Sequence, residues 1–281
     1  MPHPLASEPR SDLMLHMADL ADAIALRHFQ SAELSVDTKA DHSPVTIADR
    51  EIESMIRAEV ARAYPSDAIL GEEHGESAGS SGFRWIIDPI DGTISFATGV
   101  PLFGTLIGIE RIGDGLIVAG VCSMPALGER VWAARGAGAW WERRDPRGRI
   151  TRVPARVRPC PSLARALVCT TGLEYFERAG ATSTLVSVAR AAGRVRGWSD
   201  CYGGMLVATG RADGWFDPVM NPWDSGPFPV IVAEAGGVFT DFRGRPDFRG
   251  GSAVAGSPAL HAELLQVIQA SASQPAPNAN S

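Results

Sequence analysis

The sequence predicts an α/β protein in which helices and strands pack as layers. Three observations carry this. Apolar residues near the N-terminus recur at helical spacing. The middle of the chain gathers β-branched and aromatic residues into short runs between glycine-containing turns. The C-terminal half alternates strand-like with helix-like segments. At 281 residues the chain can bury a sizeable core as one large domain or two closely packed halves.

Taken in order, residues 1–10 read as a loose lead. Ser11 is placed to cap a helix on which Met14, Leu15, Ala18, Ala21, Ile24 and Ala25 share one face. A polar loop from about Glu33 to Pro44 precedes a second helix that starts at Thr46 and turns Ile52, Met55, Ile56 and Val60 inward. Residues 68–73 form a short strand running into a loop. The Gly/Ser-rich segment 75–82 reads as mobile surface. Trp85–Asp88 is a buried strand, followed by antiparallel strands over 105–111, 115–124 and 130–143. The arginine-rich stretch 143–158 reads as the passage between halves. Beyond it the expected order is strand 166–171, helix 174–192, strand 194–199, helix 201–209, strand 213–218 and helix 222–235. Strands 237–242 and 252–256 and a last helix from Pro258 follow. The tail after Ser271 is poor in apolar residues and reads as disordered. The chain thus divides into an N-terminal α+β half (1–150), a C-terminal α/β half (151–270) and a tail (271–281).

Composition excludes several functions. Hydrophobic residues at 45% and charged residues at 21% are ordinary for a globular protein. A net charge of -6 gives no reason to expect a nucleic-acid surface, so an anionic ligand would need positive charge supplied locally. The N-terminus lacks the apolar core of a signal peptide, and no apolar run is long enough to cross a membrane. The four cysteines, Cys122, Cys160, Cys169 and Cys201, show no paired short spacing, which suits reduced thiols in a cytoplasmic protein. Of 26 basic residues only Lys39 is lysine, which marks it as a candidate for a particular task.

The chemistry concentrates in acidic groups: Asp49 in SPVTIAD, Glu72 and Glu73 in GEE, Asp88 and Asp91 in DPIDGT, and Asp224 in NPWDSG. Carboxylates among apolar strands are expensive to bury unless something positive neutralises them. No lysine or arginine cluster accompanies them, so hard divalent cations are the natural counter-charge, and an all-oxygen set suits Mg²⁺. In DPIDGT, Asp88 ends the buried strand, Pro89 stiffens the turn and Asp91 follows near enough to share or bracket a metal. Gly92 and Thr93 then open a helix whose free amides suit a phosphate. Other readings stay open. Asp49 and Asp224 each fit a helix-capping role, and Glu72 and Glu73 fit a solvated loop.

Together and in this order, SPVTIAD (43–49), GEE (71–73), DPIDGT (88–93) and WDSGPFPVIVAEAGG (223–237) resemble the inositol monophosphatase superfamily over roughly residues 12–270. The resemblance implies an α-β-α-β-α sandwich, usually homodimeric. It implies up to three Mg²⁺ ions held by Glu72, Asp88, the main-chain carbonyl of Ile90, Asp91 and Asp224. It makes Asp49 and Thr93 the pair that activates the attacking water, and Gly92 and Thr93 the phosphate-binding amides. Lys39 stands where the family often has a lysine on the metal-site loop.

For the substrate, the segments around Asp49, Thr93 and Asp200 resemble the histidinol-phosphatase branch more than the inositol branch. By the same resemblance Asp200 and Asp217 fall at substrate-contacting positions. Two carboxylates there would suit the ammonium and imidazole of histidinol phosphate, although Asp200 also fits as the cap of a helix starting at Cys201. Inositol-1-phosphate, then nucleotide 3'-phosphates or fructose-1,6-bisphosphate, are the runners-up. Some superfamily members act as partners of the transcription machinery, but every motif acid is present here, which favours catalysis.

Overall fold

The protein was analysed as a computed structural model, which describes residues 8–31, 36–38, 44–198 and 200–272. Lys39 and residues 273–281 of the expected disordered tail lie outside the described residues, whereas its first two residues, 271 and 272, belong to the last helix. Helices α1 (Ser11–His28) and α2 (Ile47–Ala63) flank a short antiparallel pair, β1 (Val36–Thr38) and β2 (Pro44–Thr46). Next come β3 (Ala68–Gly71), β4 (Gly75–Ser77), β5 (Phe83–Asp91), α3 (Thr93–Ala97), β6 (Gly104–Arg111), β7 (Leu116–Met124), β8 (Glu129–Ala134), β9 (Ala139–Arg144) and β10 (Ile150–Pro154). The second half holds β11 (Leu167–Thr170), α4 (Leu173–Arg178), α5 (Thr182–Ala191), β12 (Arg194–Gly197), α6 (Asp200–Ala208) and β13 (Gly214–Asp217). It ends with α7 (Pro222–Ser225), α8 (Phe228–Glu234), β14 (Val238–Thr240), β15 (Ala253–Gly256) and α9 (Pro258–Ala272).

Two sheets organise these elements. The first has eight strands in the order β10-β9-β8-β7-β6-β5-β3-β4, and the second has five in the order β12-β11-β13-β15-β14. Successive strand residues point to opposite faces, and the burial follows that alternation. In β5, Trp85 and Ile87 join Met14, Met17, Ile52 and Ile56 of α1 and α2, while Ile86 faces Met205 and Phe228 of α6 and α8. In β13, Trp215 joins that same central core, whereas Phe216 meets Val188, Leu260 and Leu264 of α5 and α9. The result is five layers, α-β-α-β-α. The central strands of both sheets are covered on both faces and read as nearly continuous apolar runs, while the edge strands β4, β10 and β12 are exposed.

The structure departs from the sequence expectations in five places. Segment 75–82 is pinned: β4 pairs with β3, and Ser80 and Ser81 donate backbone bonds to the Ser66 carbonyl. The 143–158 stretch is largely an edge hairpin, β9 with β10, its arginines on the exposed rim. Helix 174–192 is broken into α4 and α5 beside Gly180, whose φ of 64° is left-handed. Helix 222–235 is broken into α7 and α8 at Gly226–Pro227. Ser11 is the first helical residue rather than the cap, which is Arg10.

The break at Gly226–Pro227 docks the two halves. Gly108 of β6 and Gly120 of β7 are directly paired across the ladder and leave a bare patch of backbone. The Gly226–Pro227 main chain lies on that patch. A Cβ at Gly108 would come 2.9 Å from the Gly226 carbonyl, and one at Gly120 would come 2.7 Å from Pro227 Cα. Backbone cannot yield as a flexible side chain can. Gly120→Ala is therefore expected to destabilise the protein by about 1–3 kcal/mol, read as a lowered thermal midpoint. It should also reduce catalytic activity at temperatures where the variant remains folded, because α7 moves with the docked segment.

Candidate metal centre

A bulge gathers the first two carboxylates. Asp88 pairs with Leu106 and Asp91 with Gly104, so three steps on β5 match two on β6. In a regular strand residues three apart face opposite sides. The extra residue reverses that and brings Asp88 and Asp91 to one side. Pro89 sits within the bulge, where its missing N–H leaves no gap in the ladder. The Pro89 carbonyl is held by Thr105 Oγ1 at 2.8 Å. Gly92 follows at φ 82°, and a Cβ there would meet the Leu102 carbonyl at 2.8 Å. Thr93 then opens α3 and donates its hydroxyl to the Ile90 carbonyl at 3.0 Å.

The third carboxylate arrives from the other half. Asn221 caps α7, and its amide N–H and side-chain Nδ2 donate to Asp224 Oδ2 at 2.7 and 3.2 Å. That fixes the Asp224 rotamer, while the packing of α7 against β5 brings it to the bulge. One oxygen each from Asp88, Asp91 and Asp224 lie within 4.8 Å of one another. The capping expectation for Asp224 is met, and the same geometry leaves its carboxylate within the acidic cluster.

Asp49 behaves likewise. Its Oδ2 accepts the Thr46 amide at 2.8 Å and the Thr46 hydroxyl at 2.5 Å in a capping box at the start of α2. One turn on, Glu53 is fully buried and accepts the Glu73 and His74 amides at 2.7 and 3.1 Å, with Arg57 on Oε1 at 2.8 Å. Glu53 thus shapes the turn that carries Glu72 and Glu73. Gly71 is required there, because a Cβ would fall 2.1 Å from Glu53 Oε1. No motif marked Glu53; an acid on the apolar face of α2 was the available signal.

The electrostatics report one shared centre. Burial pushes Asp88 well above the ordinary carboxylate range, and the charges of Glu72, Asp91, Asp224 and Asp49 push it further. Asp91 is raised by burial and then by Asp200 and Asp224, against hydrogen bonding from Cys201. Burial raises Asp224 to about 7, opposed by Asn221 and assisted by Glu72 and Asp200. Asp49 is likewise pushed up to about 7 by burial, with Thr46 opposing and Glu73 and Glu72 adding. Asp88 Oδ1 is buried and has no hydrogen-bond partner among the described residues. A buried carboxylate oxygen without a donor, in a cluster of like charges, fits the ligand set of a cation.

The predicted substrate residues divide. Asp200 begins α6 at φ 35°, and the next amide, Cys201 N–H, donates to Asp91 Oδ2 at 2.5 Å, so Asp200 borders the cluster. Asp217 sits deeper. It is 2% exposed and accepts the Trp215 indole, the Thr171 amide and the Thr170 hydroxyl. The expectation that Asp217 touches substrate directly has to be set against this enclosure. Tyr175 was missed by the sequence reading. Burial, with Asp200 second, raises its phenol to about 12, which places it beside the same acids.

The chain resembles known proteins over most of its length. A model of the inositol monophosphatase family matches residues 12–273. A histidinol-phosphatase of Chlorobaculum parvum is 39% identical over 261 residues, spanning 92% of this chain and 96% of that protein. An inositol-1-monophosphatase of Mesorhizobium japonicum is 33% identical over 265 residues, spanning 92% and 95%. In three dimensions the chain superposes on an inositol monophosphatase from Zymomonas mobilis with a TM-score of 0.79 at 29% identity, covering 94% of this chain and 99% of that one. The chain belongs to the inositol monophosphatase family.

Proposed function

We propose that the protein is a Mg²⁺-dependent phosphatase of small phosphate monoesters and that its substrate is histidinol phosphate. The convergence of Asp88, Asp91 and Asp224 within 4.8 Å, from both halves of the chain, carries this conclusion. With Glu72 and the Ile90 carbonyl they make an all-oxygen donor set, which suits Mg²⁺. Divalent cations there would neutralise phosphate charge, lower the pKa of water and stabilise the leaving alkoxide.

The chain's own groups do the rest. We assign the Gly92 and Thr93 amides to the phosphate, at the turn that Gly92 makes possible. Thr93 commits its hydroxyl proton to the Ile90 carbonyl, which leaves its oxygen lone pairs to accept from the attacking water. Asp49, whose carboxylate the Thr46 amide and hydroxyl hold at the start of α2, is assigned as the group that takes a proton from that water. In this scheme Glu72 shares the same water, and Glu73 supports the turn. Phosphoryl transfer needs chiefly positioning and charge stabilisation, and this array supplies both. Asp200, at the edge of the cluster, faces the leaving group and favours a cationic one. Resemblance to a histidinol-phosphatase over nearly the whole chain supports that choice.

Phosphate release with histidinol phosphate, inositol-1-phosphate, fructose-1,6-bisphosphate and adenosine 3',5'-bisphosphate tests the assignment. Histidinol phosphate is expected to lead in kcat/KM by orders of magnitude, and EDTA should abolish turnover. Inositol phosphate in the lead would overturn the substrate and leave the metal chemistry standing.

Asp88→Asn is expected to lower kcat/KM at least about a thousandfold. Because it removes one of several mutually repelling charges, it should also raise the thermal midpoint measured in EDTA. An active variant would remove Asp88 from the ligand set.

The raised acids also set a pH signature for the metal-free protein. A carboxyl whose folded pKa exceeds its unfolded value binds its proton more tightly when folded. Its stabilisation is full below about pH 4 and lost as pH rises through about 7. In EDTA the thermal midpoint should therefore fall between about pH 5 and pH 8, and added Mg²⁺ should raise it more at the higher pH. A Mg²⁺ effect independent of pH would contradict binding at these acids.

A further inference from the structure

A chain of hydrogen bonds runs from the second sheet to the edge of the acidic cluster. Trp215 Nε1 donates to Asp217 Oδ2 at 2.6 Å. Asp217 Oδ1 accepts the Thr170 hydroxyl at 3.1 Å and the Thr171 amide at 2.7 Å. The Thr171 hydroxyl in turn donates to Asp200 Oδ1 in a long bond of 3.5 Å. Asp200 holds a left-handed backbone, φ 35°, which a residue with a Cβ keeps only when its surroundings enforce it. Its other oxygen, Oδ2, lies over the phosphate-side turn, 3.1 Å from where a Cβ on Gly92 would stand. Asp200 is thereby held between Thr171 on one side and the Gly92 turn on the other.

Asp217 is enclosed: 2% exposed, both oxygens already serving protein donors. Pairing it directly with a substrate cation would bring a second charge into that enclosure and disturb the donors it holds. Its position at the end of β13, beside β11 in the sheet, instead matches the task of fixing the Thr170–Thr171 corner.

We propose that Asp217 is a positioning residue. It fixes Thr171, and the Thr171 hydroxyl aims the Asp200 carboxylate at the cationic part of the leaving group. This rests on the assignment of a cationic phosphate monoester as substrate. Recognition of the positive charge then falls to Asp200, with Thr171 and Asp217 setting its direction.

The test compares kcat/KM for histidinol phosphate with that for p-nitrophenyl phosphate, whose leaving group carries no positive charge. Asp200→Asn should lower the ratio about 100-fold, Thr171→Val about tenfold and Asp217→Asn about tenfold, while Thr171→Ser should restore it. Because Thr171→Val and Asp217→Asn break one linkage, the double variant should fall no further than the worse single one. A selective loss in Asp217→Asn with none in Thr171→Val, or multiplied losses in the double variant, would overturn the relay in favour of direct contact. An equal effect of Asp200→Asn on both substrates would instead reject the cationic-substrate assignment. Asp217 is buried, so its variant counts only when thermal unfolding shows it folded. If it is not, the Thr171→Val and Thr171→Ser pair decides: a selective loss rescued by serine supports the relay, and no selective loss overturns it.

Discussion

Everything at the centre of this protein follows from mutual repulsion among crowded carboxylates, Asp88 buried and Asp91 and Asp224 half-buried. Asp88, Asp91 and Asp224 converge within 4.8 Å, and Glu72, Asp49 and Asp200 act on them through space. An apolar core tolerates such a group only if the acids are protonated or a cation joins them. The fold therefore has to hold these side chains against their own field. It does so with capping boxes at Thr46–Asp49 and Asn221–Asp224, a bulge at Pro89–Ile90 and the Cys201 amide on Asp91. Each device is a local hydrogen-bond arrangement that also aims a carboxylate.

That dual use explains how much of the site was legible in the sequence. The hexapeptide DPIDGT announces a strand end, a turn and an anion-binding helix start, and the structure adds the bulge that turns two acids to one side. Asp49 read equally well as a cap and as a water-activating acid, and Asp224 as a cap and as a ligand; the capping bonds in the structure leave both carboxylates beside the cluster, so neither reading excluded the other. Glu53 could be noticed as an acid on the apolar face of α2, but its bonds to the Glu73 and His74 amides could not, and Tyr175 was not legible, because these relations come from packing between segments distant in the chain. Asp217 was legible as a neighbour of the site, but its enclosure by Trp215, Thr170 and Thr171 was not.

The layered fold was read from apolar runs and alternation, and the core distribution of β5 and β13 bears it out. The misjudged boundaries share a cause. Helices over 174–192 and 222–235 looked continuous by periodicity, yet each is interrupted at a glycine: Gly180 at a left-handed φ of 64°, and Gly226 just before Pro227. The Gly/Ser segment 75–82 looked loose by composition, yet it closes against β3 and the Ser66 carbonyl. Composition reports what a segment can do, and long-range contacts decide what it does.

The bare patch made by Gly108 and Gly120 has a consequence for the order in which the molecule is built. Asp91 and Asp224 stand 133 positions apart in the chain (224 − 91), and the patch is where the later segment lands. During synthesis the first sheet is available well before α7 emerges, so Asp88 and Asp91 spend that interval without their third partner. The cluster is finished only by a long-range docking event that brings Gly226–Pro227 onto glycine backbone. A chain stopped short of α7 would keep Asp88 and Asp91 but lack Asp224, so the three-acid cluster exists only in a chain that has been made past α7 and has docked it.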